Sequence, residues 1–272
     1  MISALLALQI VSLNPFQTPT AVYDFPVDSE TKFNVKIAFD GYVPILGGHV
    51  GKVDVDMVVR AKSVLEKSPL LQAVESEIIE LKATAFGSAL PLNKNNIGQF
   101  FPKATATFEP GGKVKFNGAD AVKMPVNLPG LDSQRLPEIS YLPVVLDKDA
   151  MLSGKEYSFE RTFNGVPMTY TVIPGDRKDS SQTVNILVSQ NSVGFEDAYG
   201  NPAVEASAKS KTKTTLKGTG KGSFNFSERK FDKVVVVTEA ETDVTNIKTG
   251  KTTKRNLKTT LTIVRDGAKV DE

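Results

Sequence analysis

The chain has 272 residues with no cysteine, no tryptophan and a single histidine. Without cysteine there are no disulfides, no thiolate nucleophiles or metal ligands, and no lipid-modified cysteine of a bacterial lipoprotein. The one histidine, His49, lies in a glycine-rich loop between predicted strands, and no nucleophile is indicated beside it. Two-histidine metal sites are excluded. We therefore predict no catalytic residue, no metal site and no cofactor.

Charge of one sign is not in excess either. Lysine and arginine number 33 and aspartate and glutamate 31, so no net field points to nucleic acid or to a membrane surface. Hydrophobic residues make up 40%, which is ordinary for a folded soluble protein. We expect no nucleic-acid partner.

An apolar run over residues 2–13 resembles the core of a secretory signal. It is shorter than the roughly 20 residues of a membrane-spanning helix. We predict a signal peptide over residues 1–21, a mature chain that begins between Asn14 and Val22 without a transmembrane span, and a periplasmic or extracellular location. The alternative is an N-terminal strand or helix that packs on the body of the protein.

Alternating apolar residues predict β-strands in both halves of the chain. Each of two such segments ends in a turn dipeptide, Asp40-Gly41 or Asn164-Gly165, which indicates hairpins and a weak internal duplication. The side chains predicted to face the core are Phe33, Val35, Ile37 and Phe39 in the first half and Tyr157, Phe159 and Phe163 in the second.

The predicted fold is mainly β, with little helix and two similar antiparallel-sheet lobes, each a curved sheet, half-barrel or sandwich. Lobe one covers residues 22–123 and lobe two residues 156–272. Between them, prolines predict a linker over residues 124–155. Residues 69–81 are ambiguous, and we favour a short helix or turn that passes into a strand.

A glycine-rich run at residues 218–223 invites comparison with a phosphate-binding loop. The glycine spacing is wrong for such a loop, and a further strand follows where a helix is required. The run therefore predicts a bent strand or a bulge.

Basic residues are concentrated near the C-terminus and form a candidate patch for an anionic ligand: Lys209, Lys211, Lys213, Lys251, Lys254 and Arg255. The alternative, which we favour, is a solvated outer face or a sheet edge that lysines protect from aggregation. No aromatic residues alternate with these lysines as base-stacking surfaces would require.

Short motifs over residues 124–265 resemble those of bacterial exported two-lobed β-rich proteins of unknown function. These motifs are Leu128-Pro129-Gly130-Leu131-Asp132, Leu136-Pro137-Glu138-Ile139, Gly154-Lys155-Glu156-Tyr157-Ser158-Phe159 and the glycine-rich run that leads into Phe224-Asn225-Phe226. The resemblance implies an envelope or secreted location and brings no catalytic residues with it.

Three functions are compatible with these observations. The first is a non-enzymatic binding or structural β module of the cell envelope, whose partner would be an envelope component. The second is a carrier that holds an apolar or lipid-like ligand in a curved-sheet cavity. The third is a hydrolase that uses carboxylates on loops. A largely apolar cavity would favour the second, and two facing carboxylates in a cleft would favour the third.

Overall fold

The computed structural model describes residues 20–43, 50–66, 68, 70–92, 95–118, 131, 133–163, 165–198, 200 and 202–268. Within them the protein is mainly β, as predicted, and its strands form one curved antiparallel sheet. The predicted signal peptide lies almost wholly outside these residues, and so does His49. No helix in the described ranges is long and apolar enough to span a membrane.

The described residues of the first half of the chain form six strands and one short helix. They are β1 (Glu30–Tyr42), β2 (Val50–Val64), β3 (Gln72–Ala85), β4 (Ser88–Ala89), α1 (Ile97–Phe100), β5 (Ala104–Phe108) and β6 (Val114–Asn117). Residues 69–81 were predicted as a helix or turn followed by a strand, and the structure has a turn at Leu70 followed by β3.

In the second half, the part of the chain that the structure describes forms one short helix and six strands, most of them long. They are α2 (Lys148–Ser153), β7 (Tyr157–Phe163), β8 (Val166–Lys178), β9 (Ser181–Glu196), β10 (Ser210–Asn225), β11 (Lys230–Asn246) and β12 (Thr252–Arg265). Single 3-10 turns lie at Ser133–Arg135 and Glu205–Ser207.

The strands are ordered β6-β5-β3-β2-β1-β12-β11-β10-β9-β8-β7, and β4 pairs with β3. The first and the last strands of the chain meet in the middle, where β1 pairs with β12 and Val35 lies opposite Ile263. Strands from both predicted lobes therefore belong to one sheet. The division of the chain into two lobes and a linker stays a prediction.

The alternation in β1 gives the burial that was predicted from it. Phe33, Val35, Ile37 and Phe39 are all at most 5% exposed, whereas Lys36 faces solvent on the outer face. There it lies 3.5 Å from Asp56 of β2, in an exposed pair of the kind that adds little stability. The stability of this region comes from burial on the opposite face of the sheet, which we call the inner face.

Both predicted segments form antiparallel hairpins, β1 with β2 and β7 with β8, but the tight turn lies at the predicted dipeptide in the second alone. Gly165 has φ 79° and lies between the paired residues Phe163 and Val166, as a tight turn requires. Gly41, in contrast, lies within β1 and pairs with Leu257. A Cβ there would be 2.3 Å from the backbone oxygen of Asn256, so this glycine permits two strands to approach closely.

The aromatic residues predicted to face the core of the second half point to the inner face but are only half buried. Tyr157, Phe159 and Phe163 share that face with Arg161, whose side chain is 7% exposed. The prediction of which face these side chains occupy is therefore confirmed. Their burial is incomplete in part because Phe163 lines a cavity and is not packed on every side.

Residues 20–29, which we call the N-terminal segment, lie against the inner face. Tyr23 is fully buried, and its hydroxyl donates to the backbone oxygen of Val144 at 2.7 Å. Gln72 holds this segment with both ends of its amide, donating to Tyr23 O at 2.8 Å and accepting from Phe25 N at 2.9 Å. The segment is therefore an integral part of the core.

A second cover of the inner face is formed by residues 133–151, which we call the cover segment. Tyr141, Leu142 and Met151 in it are at most 1% exposed. Arg161 of β7 ties it to the sheet by donating to Leu142 O at 2.7 Å and to Pro143 O at 2.8 Å. This described part of the proline-rich region thus contributes to the hydrophobic core.

Candidate ligand cavity

A cavity of about 710 Å³ lies between the inner face of the sheet and the cover segment. Strands β1 and β7–β12 contribute its walls, and the cover segment contributes Arg135, Glu138, Ile139 and Pro143. Its volume falls within the roughly 300–1,000 Å³ of sites for small molecules. Strands from both ends of the sequence must pair before this cavity exists.

Three glycines on the inner face of β10 let this strand pack closely on β11 beside the cavity. Cβ atoms on Gly218 and Gly220 would lie 2.8 and 2.7 Å from the backbone oxygens of Val237 and Val235 on β11, and one on Gly222 would meet the ring of Phe231. Side chains at these positions would hold the two strands apart. The glycine-rich run is thus part of strand β10, whose register with β11 shifts between Ser223 and Phe224, and we call it the glycine crease.

The end of the cavity that adjoins the core is apolar. Ile37, Leu261 and Val236 lie side by side on β1, β12 and β11, and Val234 lies further in on β11. Two threonines, Thr238 and Thr259, lie opposite each other in the middle of the cavity.

The opposite end, which we call the rim, is polar. It consists of Tyr42, Glu196, Thr212, Thr214, Thr242 and Arg255. The Thr214 and Thr242 hydroxyls are 2.8 Å apart and hydrogen bonded. Arg255 Nη1 donates to both carboxylate oxygens of Glu196 at 2.9 Å, and its guanidinium lies 4.2 Å from the centre of the Tyr42 ring.

The side wall next to β7 carries charged residues that hold the cover segment in place. Arg161 Nε lies 3.3 Å from Glu138 Oε1, and the Arg135 guanidinium stacks 3.6 Å from the centre of the Phe163 ring. Among the described residues that line the cavity, the carboxylates are Glu138 and Glu196, and each is paired with an arginine.

Burial strongly perturbs the pKa values of tyrosines in the core near the cavity. Burial raises the pKa of Tyr23, Tyr141 and Tyr157 well above the usual value of a phenol. The Tyr157 hydroxyl donates to Val145 O at 3.0 Å, so Tyr157, like Tyr23, hydrogen bonds to the backbone of the cover segment. These phenols stay neutral and structural at physiological pH.

The lysines of the predicted anionic patch lie near one another at one end of β10–β12, whereas Arg255 lies on the other face. Lys211 and Lys213 point from β10 to the outer face and Lys209 precedes that strand, while Lys254 lies on the same face of β12 and Lys251 precedes that strand. In the strand register Lys213 and Lys254 lie on either side of Asp243 of β11, and Lys254 Nζ lies 2.6 Å from Glu241 Oε1. Arg255 lies on the opposite face, inside the rim.

Strand β10 is paired with both β9 and β11, so its lysines do not protect an edge. Of the two alternatives to a binding patch, the solvated outer face is the one that the strand order supports. The anionic patch itself stays an untested prediction.

Sequence reasoning singled out Ile37, Phe163 and Arg255 among the cavity-lining side chains but did not predict the cavity itself. A signal was present, because Thr212, Thr214, Leu216 and the crease glycines alternate with lysines along β10 and so lie on the face away from solvent.

No protein-family model matches the chain, and no curated protein matches it. Among solved structures, the chain is similar to lipovitellin in a structure of lipid–protein interactions, with a TM-score of 0.51, 12% identity and coverage of 92% of this chain. The match covers 26% of the lipovitellin chain. At this identity the similarity concerns the fold alone.

Two weaker matches are outer-membrane proteins of Pseudomonas aeruginosa. OpdK with vanillate has a TM-score of 0.23 and 9% identity over 88% of this chain and 99% of its own. OccK2 (OpdF) with glucuronate has a TM-score of 0.20 and 9% identity over 92% of this chain and 98% of its own. Scores this low carry no argument about this chain.

Proposed function

We propose that this protein is a non-enzymatic binding module that holds one lipid-like ligand in the cavity between the sheet and the cover segment. The observation that carries the proposal is the cavity of about 710 Å³ with an apolar inner end and a polar rim. A partly enclosed cavity that combines an apolar end with polar groups at the other is suited to an amphiphilic small molecule.

The dimensions agree with a ligand of this kind. The path along β11 from Val234 to Thr242 is roughly 26 Å at about 3.3 Å per residue. The acyl chains of one leaflet span about 15 Å, half of the hydrocarbon core of a bilayer. One acyl chain with a small headgroup therefore fits along the strand.

The charged groups favour binding over acid–base catalysis. Glu138 and Glu196 each lie against an arginine, so both carboxylates are engaged within the protein and neither is held ready to exchange a proton with a ligand. The similarity to the fold of lipovitellin, whose structure concerns lipid–protein interactions, is in keeping with the same proposal.

We also propose that the protein is exported and belongs with the bacterial envelope proteins that its motifs resemble. This part of the proposal is supported by the apolar run at residues 2–13. Intact-mass analysis of exported protein should give a chain that begins between Asn14 and Val22, and an exported chain that keeps Met1 would contradict the proposal.

The binding proposal is tested with N-phenyl-1-naphthylamine, an uncharged fluorophore that brightens in apolar surroundings. The variant Ala240→Trp places a large ring on the cavity-lining face of β11, and its matched control Glu239→Trp places the same ring on the outer face. We expect saturable binding to the wild type and to Glu239→Trp, and at least tenfold weaker binding to Ala240→Trp, which corresponds to about 1.4 kcal/mol.

Unfolding curves of both variants serve as the folding control. Equal binding by the two tryptophan variants, or no saturable binding by the folded wild type, would overturn the proposed function. Binding lost in the folded Ala240→Trp protein alone would support it.

A further inference from the structure

We infer, on the basis of the proposed function, that the ligand is an amphiphile with an uncharged, hydroxyl- or ester-bearing headgroup, and that this headgroup lies against the Thr214–Thr242 hydroxyl pair at the rim. The hydrocarbon part then extends toward Val234 at the apolar end. This assigns both a ligand class and a direction of binding.

The hydroxyl pair is suited to an uncharged headgroup. Thr214 Oγ1 and Thr242 Oγ1 are 2.8 Å apart, on neighbouring strands, and both line the cavity. A pair of hydroxyls has two donor hydrogens and four acceptor lone pairs, and their mutual bond uses one of each. One donor and three acceptor positions therefore remain for a ligand that both donates and accepts, as a hydroxyl or a hydroxyl ester does.

The charges at the rim argue against an ionised headgroup. Arg255 and Glu196 satisfy each other through two hydrogen bonds of 2.9 Å, and their side chains are 23% and 18% exposed. Among the described rim residues these two are the charged ones, so the rim carries no net charge. A headgroup with a net charge would enter this partly enclosed rim where both charged side chains are already paired with each other, which is unfavourable.

The charged side wall is less suited to receive the headgroup. The Arg161 guanidinium is committed to Leu142 O, Pro143 O and Glu138, where it fastens the cover segment. Withdrawing these donors for a ligand would leave buried carbonyl groups without partners. At the other end of the cavity Ile37, Leu261, Val234 and Val236 present hydrocarbon to the ligand. The rim is thus the place for a polar group and the core end the place for a chain.

The test compares three probes with the same long chain: a monoacylglycerol, the corresponding fatty acid at pH 8 and the unsubstituted alkane. Each is measured by displacement of N-phenyl-1-naphthylamine from the full-length protein. We expect the monoacylglycerol to bind more tightly than the fatty acid. The double variant Thr214→Val/Thr242→Val should weaken monoacylglycerol binding roughly 5- to 30-fold, the equivalent of one or two hydrogen bonds, and leave the alkane unaffected.

Two further variants separate this effect from a change in folding. Thr215→Val/Thr219→Val makes the same chemical change on the outer face of β10 and should leave all three affinities unchanged. Thr214→Ser/Thr242→Ser keeps both hydroxyls and should retain monoacylglycerol binding, which a merely structural role of the threonine methyl groups would not allow.

The outcomes distinguish this inference from the proposed function. If the fluorophore binds and Ala240→Trp blocks it, but the fatty acid binds more tightly than the monoacylglycerol, the cavity holds a ligand and the headgroup assignment is wrong. Unchanged monoacylglycerol affinity in the folded valine variant also overturns the assignment. Absence of fluorophore binding to the wild type overturns the proposed function itself.

Discussion

Replacing Gly220 by alanine tests whether the glycine crease shapes the sheet. A Cβ at this position would lie 2.7 Å from Val235 O and 2.8 Å from Val236 Cγ2. Gly220 does not have a left-handed backbone conformation, so alanine can adopt the same φ. The cost of the substitution is therefore steric. The nearest atom belongs to the backbone of β11 and cannot rotate away, so the two strands must separate.

The magnitude follows from two opposing effects. Overpacking costs about 1–3 kcal/mol. Replacing glycine by alanine also restricts the unfolded chain, which offsets about 0.4–1 kcal/mol of that cost. We expect a net loss of about 1–2 kcal/mol, which lowers the Tm by roughly 2–8 °C for a chain of this size.

The assay is thermal unfolding followed by circular dichroism, with Gly98→Ala as the matched control. Gly98 lies in α1, a Cβ there meets no atom within 4 Å, and its φ is not left-handed. The control should be neutral or stabilising by up to about 1 kcal/mol. A Gly220→Ala protein that is as stable as Gly98→Ala would refute the idea that β10 and β11 fold closely together at the crease.

Three further predictions concern the core beneath the cavity. Phe39→Ala should lower the free energy of unfolding by about 3–5 kcal/mol in urea titrations because the ring is 1% exposed, and a loss below about 1 kcal/mol would mean that the ring is not buried. Burial raises the pKa of the Tyr23 phenol, so this residue contributes its full stabilisation below pH 10. Above pH 10 the phenol ionises in the unfolded chain and not in the folded one, and the free energy of unfolding falls by up to about 1.4 kcal/mol per pH unit. Tyr23→Phe should therefore cost about 1–3 kcal/mol at neutral pH and flatten the decline above pH 10, and an unaltered alkaline profile would contradict this. Arg161→Leu should lower the free energy of unfolding by about 3–5 kcal/mol and speed amide hydrogen exchange in residues 136–146, because Arg161 holds the cover segment. The control is Glu160→Leu, which changes an exposed neighbour on the same strand. Identical exchange in the two variants would show that Arg161 does not hold the cover segment.

The sequence predicted those parts of the fold that depend on local patterns. Period-two burial in β1 was predicted because every second side chain of a strand faces the same way. The turn at Gly165 followed from the needs of a two-residue hairpin. Gly41 was assigned the same role wrongly, because a dipeptide does not reveal whether its glycine serves a turn or the close approach of another strand.

The cavity depends on contacts between distant parts of the chain, and no local pattern encodes them. β1 meets β12 across more than two hundred residues, as Val35 opposite Ile263 shows. Prolines in the cover segment predict irregular structure but do not say that Tyr141 and Leu142 lie in the core. The rim was out of reach for the same reason, because Arg255 and Glu196 meet only after the sheet has formed.

Native mass spectrometry of the wild type with an excess of a long-chain monoacylglycerol tests the central claim most directly. One cavity with one rim predicts a single bound molecule on the wild type and on Glu239→Trp, and none on Ala240→Trp. The same single adduct on all three proteins, or none on any of them, would contradict a ligand held in this cavity.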